Sequence, residues 1–556
     1  MSDYTFRGLE FHSSRMWRWA SVEKSLMFME KFQMNALIFH QNDLIDQLVL
    51  PEAYFSDETM LKRWPVRRST IFANRVYINR VIQKARRLGI GFYLEVKEIW
   101  YPEALVELYP ELRAADGTVC PTNPFWFEFL ETKMRELVKY VPDLAGVIVS
   151  PATRESKISI STNPCSCDRC MRTDPTSWYK SYIHAIFQPL DAHGKTLVVR
   201  DFAYSADQQS SVVEAAVSCS DQIVLGLKNV PHDFWPTFPS NPKIGHSHGL
   251  RQWIEFDVWG QYCGLGVFPC SLVEDLQRRL QYCRERGAEG AWFRTDWEIC
   301  IEASTFNSFN MLNLIGASML SKQPDMHLDQ VYKAWAQHGL YSSLRTESCT
   351  GEPVVPTSPQ AWKNLKEFMT TAWSVMEKSL FVRGNVFQLS SKIHPSLQDM
   401  LYIMTKHHNR GNWDANALDI LDGSEEHVRM ILDEKKEALR ECLRLRSLLD
   451  PNSLGVPPSF QAEIETMLEL FTYYCKAFYY AAQASFLAHR ALLTGNPADQ
   501  ERTREALTEL LDFQRELKER LTDTEYPFYM YWLLDEKQLL SLYQDICANV
   551  NAVEAV

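Results

Sequence analysis

Eight short apolar runs, separated by longer amphipathic stretches, limit what this chain can fold into more than any other feature. They occupy residues 8–12, 36–40, 91–95, 146–150, 196–200, 222–226, 252–256 and 290–294. Each is near strand length, rich in β-branched or aromatic residues, and lacks clean polar alternation, as expected for parallel strands buried on both faces. Helical stripes lie between them: Leu26, Met29 and Phe32 share one face, as do Leu276 and Leu280. Ser271 to Glu274 reads as a capping box, and Gly287 as the stop of that helix. Eight strands with eight crossovers in under 300 residues have the count and size of a (β/α)₈ TIM barrel, an α/β fold. A doubly wound open sheet is the rival, but it does not need eight repeats.

After about Gln323 the strand pattern stops, and helices are predicted over 328–337, 359–379, 424–449, 459–494 and 499–521. Pro451, Pro457, Pro458 and Pro497 mark the breaks between them. The expected organisation is a barrel domain over 1–325 followed by an all-α helical domain over 326–556. The aromatic clusters Phe471 to Tyr474 and Phe478 to Tyr480 read as helix–helix core. The helical domain is expected to pack on the barrel and to contribute to a homodimer interface.

Composition narrows the partners. A formal charge of -12 argues against nonspecific nucleic-acid binding, and it requires any anionic substrate to be met by locally placed Arg or Lys. The 16 Trp suit sugar binding, because an aromatic face packs on the apolar face of a pyranose, although large cores use Trp as well. Residues 1–18 are polar and show no signal-peptide core, and no stretch approaches the apolar length of a membrane span. The 13 cysteines are odd in number and scattered, which fits reduced thiols. A cytoplasmic protein without membrane or nucleic-acid partners is expected.

Barrel enzymes place their chemistry at the C-terminal ends of the strands. Polar residues concentrate there: His40 and Asn42, Lys97 and Trp100, Glu155, Arg200, Lys228 and Asp233, Glu255, then Arg294, Asp296, Trp297 and Glu298. This describes a polar pocket with carboxylates, cations and Trp. Glycoside hydrolysis needs two carboxyl groups, one protonated to assist the leaving oxygen and one ionised to activate water or attack. Glu155, Asp233 and Glu255 follow three different runs and are the candidates. Each alone reads equally as a surface carboxylate or as an ion pair to a barrel Arg.

The segment Lys228-Asn229-Val230-Pro231-His232-Asp233-Phe234 resembles the Lys-Asn-x-Pro-x-Asp-Phe signature of the α-glucuronidases of glycoside hydrolase family 67. Pro242 to Gly245, Trp253-Ile254-Glu255-Phe256 and Gly260 to Gly264 continue the likeness, as do Gly146 to Glu155, Val199 to Tyr204 and Thr295-Asp296-Trp297. It covers roughly residues 146–320. The resemblance implies an inverting exo-hydrolase that removes an acidic sugar from an oligosaccharide. Glu155 would be the general acid, Asp233 and Glu255 would share the base role, and Arg200 with Lys228 would clamp the sugar carboxylate. His40, Asn42, Trp100, Arg294, Asp296 and Trp297 would line the substrate. Two features depart from the family: no β-rich domain stands ahead of the barrel, and Arg154 precedes Glu155 where the family has a small residue.

A barrel β-N-acetylhexosaminidase is the alternative enzyme, but it needs an adjacent Asp-Glu pair where this chain has Arg154-Glu155. An inactive carbohydrate-binding protein is the alternative from another class. Cys165, Cys167 and Cys170 form a C-x-C-x-x-C run that could bind zinc with one further ligand, Cys120 or His184. No second pair of cysteines accompanies it, so a packed, reduced loop is expected, with no metal or cofactor. His407, His408 and Trp413 read as residues of a polar surface loop, within reach of a neighbouring site only in a dimer.

Overall fold

In the computed structural model, which describes residues 3–114, 116–163, 165–300, 302–346, 351–449 and 451–554, the eight runs close into a single barrel. Its strands are β1 (Phe6–Phe11), β2 (Ala36–His40), β3 (Gly91–Lys97), β4 (Gly146–Ser150), β5 (Thr196–Arg200), β6 (Val224–Lys228), β7 (Arg251–Asp257) and β8 (Gly290–Arg294). All neighbours are parallel, and β8 returns to β1 with Gly8 opposite Trp292. The sixth strand begins two residues later than the apolar run suggested. Its register against β7 pairs Val224 with Arg251 and Lys228 with Glu255, so Lys228 belongs to the strand itself.

Helices fill the crossovers: α1 (Trp19–Phe32), α2 (Pro65–Arg87), α3 (Phe125–Tyr140), α4 (Pro175–Asp191), α5 (Ala206–Cys219) and α6 (Val273–Glu285), with α7 (Met311–Leu320) after β8. The sixth crossover, residues 229–250, departs from the expected pattern, since it holds no helix among the described residues. The capping box expected at Ser271 also differs. Helix α6 starts beyond Leu272, whose N–H is taken by Asn313 Oδ1, while Ser271 Oγ donates to Glu274. Gly287, at φ +83°, stops the helix as expected.

The barrel interior is packed, not hollow. Phe6 stacks on Trp253 at 3.7 Å with Tyr93 edge-on to it at 5.4 Å, and Ile38, Ile148, Val198, Val224 and Trp292 complete the layer. Large rings fit because glycines face them. A Cβ on Gly290 would stand 2.4 Å from Trp253 Cδ1, and one on Gly8 would stand 2.6 Å from Trp292 Cβ. These glycines are therefore a consequence of interior volume.

Beyond the barrel the chain is helical: Leu328–His338, Ala361–Leu380, Glu425–Leu448, Pro458–Thr494, Pro497–Thr522 and Glu536–Glu554. A two-stranded ribbon, Phe381–Val382 with Asn385–Val386, and a π turn at Ile403–His407 interrupt them. The aromatic clusters serve two partners and not helix–helix core alone. Phe471 and Tyr474 pack on Phe268 from the loop after β7, at 5.3 and 4.9 Å, whereas Tyr480 stacks on Phe513 of the next helix at 5.0 Å. No helix among the described residues is long and apolar enough to cross a membrane.

The interior packing gives a direct test. Gly290→Ala should destabilise the barrel by about 1–3 kcal/mol, the usual cost of overpacking, because Trp253 cannot retreat without displacing Phe6. A lowered urea midpoint with an unchanged far-ultraviolet spectrum is the expected result, and an unchanged midpoint would show that the ring yields freely.

Candidate active site

Above the aromatic layer the barrel carries charge. Arg200 at the end of β5 donates from Nε and Nη2 to the two oxygens of Glu255 on β7, at 2.5 and 2.8 Å, and from Nη1 to Ser150 at 3.1 Å. Glu95 on β3 lies 3.2 Å from the same guanidinium. Glu10 on β1 accepts from His40 Nδ1 at 2.8 Å and from Trp292 Nε1 at 2.9 Å. Arg200 is 2% exposed and Glu255 is sealed. The expectation that Arg200 grips a substrate and Glu255 faces a water therefore meets a different arrangement, in which each occupies the other's hydrogen-bonding capacity. One guanidinium cannot balance three carboxylates in a dry interior. Burial pushes Glu95 up to about 7, and burial with the neighbouring Glu95 and Glu255 charges pushes Glu10 well up.

The mouth lies one step further out. Lys228 Nζ donates to Asp233 Oδ1 at 2.7 Å, the Phe234 N–H donates to the same oxygen at 2.9 Å, and Tyr262 donates its hydroxyl to Oδ2. His232, at φ +66° in the left-handed region, is the backbone turn that returns Asp233 over the strand end. Burial alone would raise the Asp233 pKa, but Lys228, Arg294 and His232 together hold it well below the usual carboxylate range. Lys228, brought down to about 8 chiefly by burial, sits 3.5 Å above the Phe202 ring. Lys97 lies over the same ring at 5.1 Å and pairs with Glu155 at 3.1 Å.

Glu298, on the loop after β8, completes the group. Its carboxylate stands 3.9 Å from His12 Nε2 and is 44% exposed. Burial and the Glu155 charge raise its pKa, against the pull of Lys97 and Arg294. The mouth thus holds Asp233 below, and Glu298 above, the ordinary carboxylate range. His12 and His40 are kept neutral by burial and by the cations Lys97, Arg200 and Arg294. Glu10, His12 and His40 are close enough to be considered as metal ligands. However, the two Nδ1 atoms are 2.5 Å apart, whereas two imidazole nitrogens on one tetrahedral zinc stand about 3.4 Å apart. The two Nδ1 atoms as placed are therefore too close to be joint ligands of one ion.

The remaining predicted residues divide. Arg294 donates to Gln261 Oε1 at 2.5 Å, lies 3.5 Å from Asp257 and 4.5 Å over Phe234, and its Nε has no partner among the described residues. Asp296, expected to line the substrate, is sealed instead. It accepts from Arg15, Ser13 and the His12 N–H, and so ties β8 to the turn after β1. Trp100 is half-buried with Lys157 over its ring at 5.4 Å, Trp297 is half-buried, and Asn42 Oδ1 has no partner among the described residues.

His407 and His408, read from the sequence as surface-loop residues, reach the mouth of their own barrel. His408 Nδ1 meets His232 Nε2 at 2.9 Å, its ring lies 4.6 Å from Trp235, and His407 stacks on Tyr204 at 6.1 Å. Burial brings His408 down to about 2 and His232 down to about 4, so this pair is neutral near pH 7. Gln388 donates to the Tyr262 carbonyl and Ser391 to the Gln261 carbonyl, both at 2.7 Å. From the sequence Lys97, the last residue of β3, and Glu298, after β8, were placed in the polar pocket but given no role. Their spacing from the strand ends was the usable signal. Tyr204 and Tyr262 fall within the segments that carry the family resemblance and His408 was read as a surface-loop residue, so none of the three was assigned a role. A groove of about 770 Å³ lies at the opposite end of the barrel, lined by Asp3, Lys31, Gln33, Arg284 and Lys322.

No protein-family model matches this chain, and no curated protein matches it by sequence. Among solved structures it is similar to a GH138 enzyme targeting pectin rhamnogalacturonan II, with a TM-score of 0.66, 12% identity, and coverage of 100% of this chain and 85% of that one. It is also similar to a GH115 4-O-methyl-α-glucuronidase with specificity for decorated arabinogalactans, with a TM-score of 0.45, 11% identity, and coverage of 97% and 62%. An O-GlcNAc hydrolase from Thermobaculum terrenum follows, with a TM-score of 0.44, 12% identity, and coverage of 99% and 96%. At this identity the first likeness shows a shared fold, a (β/α)₈ barrel followed by a helical region.

The buried pair separates scaffold from chemistry. Glu255→Gln should cost about 3–5 kcal/mol of stability, because it removes the two-oxygen charged partner of the sealed Arg200 guanidinium. Thermal unfolding of the variant measures this, and a loss under about 1 kcal/mol would show the pair to be dispensable to the fold.

Proposed function

We propose that this chain is a glycoside hydrolase that removes an acidic sugar from an oligosaccharide, with residues 1–325 carrying the chemistry and 326–556 completing the mouth. The observation that carries the reading is the pair of carboxyl groups held in opposite states at one barrel mouth, Asp233 ionised and Glu298 raised. Carboxyls whose surroundings push them apart in this way divide into base and acid. Asp233 accepts a proton from the attacking water, and Glu298 gives one to the leaving oxygen. Glu155, anchored by Lys97, adds a negative charge to the burial that raises Glu298. Arg200 and Glu255 act from below, as the rigid floor. An inverting outcome follows if water attacks directly, and the anomer first released, read by NMR, tests it.

Two further points support a charged sugar. Lys97, Arg200, Lys228 and Arg294 together bias the mouth strongly enough to help keep His12 neutral. The family-67 resemblance of the Lys228–Asp233 segment points the same way, as does the fold shared with an enzyme described as acting on a pectin. A second reading keeps Glu155 as the proton donor, favoured by its place after β4 in that resemblance.

A panel of α- and β-linked uronides, their methyl esters and hexosaminides decides the substrate. Turnover of uronides over esters is expected. Preference for hexosaminides would overturn the acidic-sugar reading, and tight binding with no turnover of any member would make the protein a lectin. Asp233→Asn should lower kcat by about 10²–10⁴-fold. Glu298→Gln should do the same on poor leaving groups and far less on activated aryl glycosides, and a leaving-group dependence seen only in Glu155→Gln would transfer the donor role to Glu155. The pH profile carries a sign. Because the Glu155 charge raises Glu298, the alkaline limb of kcat/KM should move to lower pH in Glu155→Gln. Asp233, held well below the usual carboxylate range, stays ionised across the profile.

A further inference from the structure

Four thiols meet beside the loop that carries Glu155. Cys120 comes from the loop between β3 and α3, and Cys165, Cys167 and Cys170 come from the loop between β4 and α4. Their sulfurs all lie within 4.8 Å of one another, with Cys120 Sγ 3.7 Å from Cys167 Sγ and 3.5 Å from Cys170 Sγ. Sulfurs about 2.3 Å from a tetrahedral zinc stand about 3.8 Å apart, whereas those of a disulfide stand about 2.05 Å apart. The spacing is that of a coordination shell, and none of the described cysteines is bridged.

We propose that Cys120, Cys165, Cys167 and Cys170 bind one structural zinc ion as a closed four-thiolate site. The local geometry is arranged for thiolates. Cys167 caps the short helix Asp168–Arg172, and the Cys170 N–H donates to its sulfur at 3.5 Å. Trp126 Nε1–H donates to the Cys120 carbonyl at 3.1 Å and Trp178 Nε1–H to the Pro121 carbonyl at 2.8 Å, fixing the strand of loop from which Cys120 reaches across. Such outer hydrogen bonds orient ligands for a metal. From the sequence the fourth ligand was open between Cys120 and His184, and the absence of a second pair favoured a metal-free loop. The fourth ligand is a single cysteine on the preceding loop, which only the fold brings near.

The ion would act as a rivet between two loops that are already stitched nearer the mouth. Glu98, after β3, accepts from the Ala152 N–H at 2.9 Å and from Ser159 Oγ at 2.7 Å, while its own N–H donates to Ser156 Oγ at 2.9 Å. Arg154 and Glu155 lie within that stitched segment. Zinc at its far end holds the second loop at both ends, so that Glu155 keeps its place against Lys97.

The test uses the full chain expressed with zinc and purified under reducing conditions without chelator. Elemental analysis should find one zinc per chain. It should be lost in Cys120→Ser and in Cys167→Ser and retained in Cys219→Ser, a cysteine at the end of α5. Should the serine variants fail to fold, cobalt added to the zinc-depleted wild type decides. A thiolate-to-cobalt charge-transfer band with intense visible bands is expected of a tetrahedral four-sulfur site. Wild type without stoichiometric zinc and without that band would overturn the proposal. So would zinc that survives both ligand substitutions, or a disulfide joining Cys120 to Cys167 in protein trapped with a thiol-blocking reagent.

Discussion

The guanidinium of Arg200 is the charge around which the inside of the barrel is arranged. Desolvating it is costly, and the two-point contact with Glu255 offsets that cost only because Ser150 and Glu95 complete its surroundings. Once one carboxylate is committed, the others cannot ionise freely. Glu95 is held near 7, Glu10 is pushed higher, and the two histidines beside them stay neutral. The floor of the mouth is therefore hydrogen-bonded and nearly balanced. This leaves Lys97, Lys228 and Arg294 to organise the groups above it.

Much of the barrel was legible because its strands are apolar on both faces and bounded by polar residues, a pattern that survives without tertiary information. The sixth strand slipped because Gln222 and Ile223 look like strand residues while the pairing with β7 begins at Val224. The charged residues were legible as a set but not by depth. Glu255 lies within β7 and points into the packed interior, whereas Asp233 lies five residues beyond β6 and turns back over the mouth. Strand position, not residue type, distinguishes a carboxylate of the floor from one of the mouth. Glu298 was visible and passed over for the same reason, since its distance from Arg294 places it in the loop.

Other parts of the site were out of reach of local reading. Trp235, in the helix-free sixth crossover, is only partly covered by the barrel itself. Tyr262 covers it on one side at 3.6 Å, and His408 and Phe381 from the helical region approach it at 4.6 and 6.4 Å. Residues so far apart in the chain share no sequence signal. Cys120 and the run beginning at Cys165 stood out in the sequence, but the choice of Cys120 over His184 needed two loops laid side by side.

That the helical region closes the mouth has a consequence for the order in which the molecule is made. The carbonyls of Gln261 and Tyr262 find their donors in Ser391 and Gln388, and His232 finds His408, roughly 100 residues after the last barrel strand. At about 5–20 residues per second of synthesis, these partners emerge about 5–20 s after β8. During that interval the ribosome-bound barrel has all eight strands but an unfinished rim, with Trp235 exposed on its open side. The nascent chain thus passes through a stage at which a chaperone has an aromatic handle to hold, and the handle disappears when the active site becomes complete.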